Sequence, residues 1–177
     1  MATEIVIGGH RRIRPFSTAD TYPEQNLGND LCQAVVAGNT VYLRGQVAQD
    51  LDTSENVAVG DAAGQARKVC DNILLLLAEA GAGPEHIVSC HIYLTDIRHR
   101  EPVYRVMGER LRGVFYVSTG LVVQALARPE WLVEVGVVAV LPPRAQHGQA
   151  AVGKALQPAV EPYAKPFGQE AEAQHGE

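Results

Sequence analysis

The stretch WLVEVGVVAV, residues 131–140, constrains this chain more than any other. Val133, Val135, Val137, Val138 and Val140 are β-branched, and β-branched side chains suit a pleated, buried surface. With a period of two, Val133, Val135 and Val137 share one face, and Leu132, Glu134 and Gly136 share the other. Leu132 and Val138 make the second face apolar as well. A strand apolar on both sides requires cover on both sides. Glu134 is the exception, because an unpaired carboxylate removed from water costs several kcal/mol or takes up a proton.

The rest of the chain supplies partners for that strand. EIVIGG near the start is a strand candidate, followed by a polar stretch containing Pro15 and Pro23. VVAGNTVYLRGQVA, 35–48, reads as a hairpin, with Gly38-Asn39 as its turn. From Asp61 to Ala80 the period becomes helical. Ala62, Ala66, Val69, Ile73, Leu76, Leu77 and Ala80 form one stripe, Asp61 is placed as N-cap, and Gly81 ends the run. IVSCHIYLTD, 87–96, is a strand with Val88, Cys90, Ile92 and Leu94 on one face. A second helix is expected from Pro102, suited to a first helical turn, to Arg112, although Gly108 weakens it. GLVVQALA, 120–127, and WLVEVGVVAV complete an order that runs, from the hairpin onward, β-β-(loop)-α-β-α-β-β.

That order predicts one α+β domain over residues 1–142: a mixed sheet with two helices on one face. The opposite sheet face is then bare and apolar, and a second copy of the chain is expected to cover it. Residues 143–177 are rich in Pro, Gly, Ala, Gln and Glu without sustained periodicity, and read as a disordered tail.

Composition narrows the function classes. A formal net charge of −5 argues against general electrostatic binding to nucleic acid. The apolar run ILLLLA, 73–78, is far too short to span a bilayer, and MATEIVIGGH lacks the pattern of a secretory signal. Three widely separated cysteines, Cys32, Cys70 and Cys90, suggest neither a disulfide framework nor a zinc cluster, and a reducing cytoplasmic setting is expected. The histidines show no metal-ligand spacing. Phosphate loops, dinucleotide fingerprints and serine-hydrolase elbows are absent from the sequence.

Few residues remain as carriers of chemistry. Glu134, in a semi-buried cleft, would have a raised pKa and could move protons near neutral pH. Ser118 and Thr119, beside Gly120, offer hydroxyl and backbone N–H groups for an oxyanion, a carboxylate or water. Gly45 marks a close approach of backbone, and its neighbour Arg44 either enters a cleft or lies exposed.

Taken together, GNTVYLRGQVAQD, QARKVCDNILLLLAEAGAGPEHIVSCHIYLTDI and STGLVVQALARPEWLVEVGVVAV resemble the Rid family, also called YjgF or RidA-like proteins. The resemblance covers roughly residues 30–140. It implies a chorismate-mutase-like fold, a homotrimer with its sheets packed as a central barrel, and a ligand cleft at each subunit interface. Many members hydrolyse enamines and imines of amino acids to 2-oxo acids and ammonia, with no metal or organic cofactor. Glu134 matches the family glutamate of the last strand, expected to position water. The chain also departs from the pattern. The family arginine that clamps a substrate carboxylate aligns with Ser118, followed by Thr119; a family tyrosine aligns with Leu31, and an asparagine near Tyr104.

Three readings result. The first is an arginine-less, deaminase-like hydrolase of a small enamine, imine or related C–N compound. Its catalytic residues are Glu134, Thr119 and Ser118, and its substrate contacts are Leu31, Arg44, Gly45, Tyr104 and Gly120. The second is a non-catalytic trimer that binds a metabolite or partner. The third is ordinary imine deamination with Arg44 or Arg105 as the clamp.

Overall fold

The computed structural model describes residues 4–143. Seven strands form one sheet: β1 (Glu4–Ile7), β2 (His10–Ser17), β3 (Asp30–Ala37), β4 (Thr40–Gln46), β5 (Ile87–Leu94), β6 (Val117–Val122) and β7 (Val133–Val140). Their spatial order is β1-β2-β3-β4-β7-β5-β6. All neighbours are antiparallel except β5 and β6, which run parallel. A short helix, α1 (Thr18–Thr21), follows β2, and two longer ones, α2 (Ala62–Ala80) and α3 (Arg100–Arg110), join β4 to β5 and β5 to β6.

The helical period of 61–80 translates directly into α2. Ala66, Val69, Ile73, Leu76, Leu77 and Ala80 are all buried. Gly81 adopts φ +85°, and its N–H and that of Ala82 close the helix on Ala78 and Leu77. Asp61 is the N-cap residue in extended conformation, but its carboxylate makes no capping hydrogen bond. The stripe of α2 packs on Val41, Leu43, Ile92, Val133, Val135 and Val137, and Val103, Val106 and Met107 of α3 join the same core.

Four segments differ from their sequence reading. The polar stretch after residue 9 contains an eight-residue strand, β2, paired to β1 and β3. Its charges are carried at the strand flanks: Ile13 is buried, while Arg11 binds Glu4 and Arg14 binds Glu79 and Asp52. Val88 does not share the buried face of Cys90, Ile92 and Leu94, because the register with β7 shifts between Ile87 and Ser89 and turns Val88 outward. Helix α3 begins at Arg100, two residues before Pro102, after a 3-10 turn capped by Asp96. Strand β6 covers 117–122, and the segment 123–127 leaves the sheet. The tail expected at 143–177 lies, from 144 onward, outside the described residues.

Candidate functional site

Glu134 projects from β7 opposite Tyr93 of β5 and away from the helices, whereas Val133 and Val135 on either side are buried beneath them. Its carboxylate is half-buried, and burial pushes its pKa above the ordinary value, opposed in part by the positive charge of Arg44. The side chain lies over β4 where the register slips between Leu43–Val137 and Gln46–Val135. Gly45 occupies this irregularity. A Cβ added there would stand 1.9 Å from Glu134 Oε1, so the glycine makes room for the carboxylate.

Two buried side chains of α2 hold the strand ends around Glu134. Gln65 accepts the Leu132 N–H at 2.8 Å and donates to the Glu130 carbonyl at 2.7 Å, fixing the entry to β7. Asn72 donates to the carbonyls of Val47 (3.2 Å) and Gln49 (2.8 Å), fixing the exit of β4. The opening is further braced by Trp131, whose indole N–H donates to Asn56 at 2.9 Å. Gln65 and Asn72 belong to the QARKVCDNI stretch that carries the family resemblance, but the sequence alone assigns them no role. The available signal was an amide at each of two places on an otherwise apolar helical stripe, both fully enclosed.

The remaining candidates fall into separate groups. Arg44 lies 5.3 Å from the centroid of Phe16 and 5.8 Å from that of Tyr22, so aromatic faces hold its guanidinium. It lines a concavity of about 790 Å³ together with Leu31 of β3. At the far edge of the sheet, Ser118 and Gly120 are in register with Cys90 and Ile92, which places them on the helix side. A Cβ at Gly120 would stand 1.9 Å from the hydroxyl of Tyr104 and 3.3 Å from Arg100. Arg100 in turn stacks on Tyr104 at 4.4 Å. Thr119 is in register with His91 and faces the same way as Glu134, but β5 separates them, an offset of roughly 10 Å across the sheet.

One chain therefore unites Glu134, Gly45 and Arg44, pairs Leu31 with Arg44, and pairs Gly120 with Tyr104, while Ser118 and Thr119 point to opposite faces. Arg105 is bound to Glu101 on its own helix. Cys70 and Cys90 are enclosed, with burial pushing their thiols up to about 11 and about 12. Among the described residues no three or more His, Cys, Asp or Glu side chains are grouped to hold a metal, and no helix is long and apolar enough to cross a membrane.

Comparison with known proteins places this arrangement. Residues 25–141 match the family model described as Endoribonuclease L-PSP. Protein DfrA of Myxococcus xanthus is 36% identical over 106 residues, 60% of this chain and 79% of that protein. A RutC family protein of Synechocystis is 31% identical over 110 residues, 62% of this chain and 85% of its own length. Among solved structures, the Rid-family protein YyfA of Yersinia pestis superposes with a TM-score of 0.59 at 30% identity, covering 62% of this chain and 86% of that one. A YjgF/YER057c/UK114 family member from Mycobacterium tuberculosis gives 0.57 at 26% identity, covering 80% and 100%. The chain belongs to the Endoribonuclease L-PSP family, the YjgF/Rid class of α+β proteins.

Proposed function

We propose that this protein is a deaminase-like hydrolase of a small enamine, imine or related C–N compound, with Glu134 as the residue that handles water. The observation that carries the reading is the half-buried Glu134 carboxylate, raised in pKa and accommodated by Gly45. The reaction class is the one that the resemblance to the Rid family implies. A carboxylate in this state takes a proton from water as the water oxygen bonds to the imine carbon. It passes that proton to nitrogen, giving a carbinolamine, and then carries the hydroxyl proton to the same nitrogen as the C–N bond breaks, leaving a carbonyl product and ammonia. Each proton and electron pair is accounted for by water and the substrate, and the chemistry calls for neither metal nor organic cofactor.

The scatter of the other candidates supports a homotrimer. Ser118, Thr119, Gly120, Tyr104 and Leu31 do not converge on Glu134 within one chain, and the open sheet face carries Tyr42 at 49% and Leu121 at 53% exposure. Packing that face against further copies would shield these side chains and assemble a cleft between subunits, in a chorismate-mutase-like barrel. A cytoplasmic setting suits the free cysteines.

The test is ammonia release from freshly generated 2-iminobutyrate and iminoalanine, beside neutral enamines and small amides. Glu134→Gln should lower turnover of the accepted compound by about 10²-fold or more. Undiminished turnover in that variant rules out the role given to Glu134, and silence on every compound favours a non-catalytic binding trimer. Ser118, at the position of the family arginine, is the residue that keeps this second reading in play.

A further inference from the structure

Two opposite charges lie near each other where β4 slips against β7, and they do not pair. Glu134 is half-buried, and its carboxylate feels the positive charge of Arg44. Yet among the described residues Arg44 makes no ion pair. A half-buried carboxylate gains strongly from contact with a guanidinium, because the contact offsets its lost hydration. Some other interaction therefore holds Arg44 back.

Two aromatic rings provide it. The Arg44 guanidinium lies 5.3 Å from the centroid of Phe16 and 5.8 Å from that of Tyr22. The rings meet edge to face, with centroids 6.0 Å apart and planes at 89°. Tyr22 is enclosed, and its hydroxyl donates to Gln49 Oε1 at 2.8 Å. A second guanidinium, that of Arg128, lies 5.1 Å from the Tyr22 centroid and is ion-paired to Glu24. The ring that receives Arg44 is thus itself fixed by several partners. Phe16 and Tyr22 both precede residue 25. The family-matched segment supplies Arg44 and Glu134, and the chain before it supplies the rings.

We propose that Phe16 and Tyr22 are positioning residues: their rings hold the Arg44 guanidinium off Glu134 and leave that carboxylate free to exchange a proton with water. The proposal rests on the reading of Glu134 as the residue that handles water. A direct ion pair would fix the carboxylate in its ionised form and occupy oxygens that water has to reach. Held on the rings, Arg44 keeps its charge nearby without that contact. The other titratable groups beside Glu134 are on β5: Tyr93 opposite it, and His91 on the diagonal, opposite Gly136. Both are unaltered in the variants that test the proposal.

The test follows the carboxyl carbon of Glu134 by NMR as pH is varied, in the full-length chain labelled at its glutamate carboxyls. Its signal is the one lost in Glu134→Gln. Phe16→Leu and Tyr22→Leu should each shift this titration to lower pH, because Arg44 is released onto the carboxylate. Tyr22→Phe keeps the ring and should leave the titration where the parent has it. In an Arg44→Gln background neither leucine substitution should move it. Tyr22 is enclosed whereas Phe16 is only half-buried, so Phe16→Leu carries the test where Tyr22→Leu fails to fold. A titration that stays in place or moves to higher pH in Phe16→Leu overturns the proposal. So does a downward shift that persists without Arg44. The readout requires no turnover: an inactive chain that shows the shift refutes the hydrolase reading alone, and an active chain that lacks it refutes only the role of the rings.

Discussion

The two faces of the sheet are built from similar amino acids and end in opposite states. On the helix face, Val133, Val135, Val137 and Ala139 of β7 are sealed beneath α2, and the polar groups there are amides with matched partners. On the other face, the alternate residues of the same strand, Glu134, Gly136 and Val138, are only half-buried, and Tyr42 on the neighbouring β4 and Leu121 on β6, beyond β5, are exposed. One face is finished within a single chain, and the other holds a carboxylate with raised pKa facing the charge of Arg44, and exposed apolar surface. The contrast separates stability from function: what fixes the fold is on one side, and what could meet a ligand or another subunit is on the other.

Paired truncations are the strongest way to break that contrast. Leu76 is fully enclosed beneath the sheet, and Leu76→Ala should cost about 2–5 kcal/mol by lost burial and the cavity left behind. Leu121→Ala on the open face should cost the isolated fold under about 0.5 kcal/mol. Urea denaturation of both variants, at a chain concentration low enough to disfavour association, checks the difference. An equal loss for the two would mean that the open face is covered and contributes to the core.

A smaller effect is expected where the faces are tied together. Gln65 reaches from α2 to both sides of the entry to β7. Gln65→Leu keeps the bulk but leaves the Leu132 N–H and the Glu130 carbonyl without these partners. It should destabilise by about 1–3 kcal/mol, read as a lower urea midpoint at unchanged slope. It should also lower any Glu134-dependent turnover more than Leu121→Ala does, because it loosens the segment that sets the carboxylate's position.

The same two faces explain what could be read before the structure. Repetition made α2 and β7 legible: Ile73, Leu76 and Leu77 recur at 3.6, and Val133, Val135 and Val137 at two. Strand β2 was not legible, because Arg11, Arg12 and Arg14 interrupt any apolar alternation, and only tertiary contacts of Arg11 with Glu4 and of Arg14 with Glu79 and Asp52 show how two of these three arginines fit in a sheet. Val88 was misplaced for a related reason. Its neighbours alternate without fault, and the slip belongs to the pairing with β7, which no single strand encodes. In the site, Glu134 and Gly45 could be singled out as an acid and a glycine out of place in strands. That they are partners required the register between β4 and β7. Gln65 and Asn72 could be read as part of the family match, but not their role, because an amide on an apolar stripe looks like a break in pattern until its carbonyl partners are known.

The smallest effect is a pH dependence that only the open face should show. The folded chain raises the pKa of Glu134 above its unfolded value through burial, so ionisation is harder in the folded state. Below the unfolded value the carboxyl is protonated in both states, and burial carries no ionic penalty. As pH rises through the folded value, the unfolded chain has already released its proton, and the penalty on the native state becomes complete. Glu134→Gln removes that penalty. The variant should therefore melt higher than the parent at neutral pH, with the gain shrinking as pH falls below the ordinary glutamate range. Asp50 shifts the other way: its hydrogen bonds with Lys68 and with the backbone N–H groups of Thr53 and Asp52 hold it below the usual carboxylate range. Its contribution is present at neutral pH and lost in acid, and it is common to parent and variant, so it cancels in the difference between their melting curves. A gain in Glu134→Gln that did not vary with pH would assign the effect to packing rather than charge, and would remove the electrostatic reason for regarding this carboxylate as poised for proton transfer.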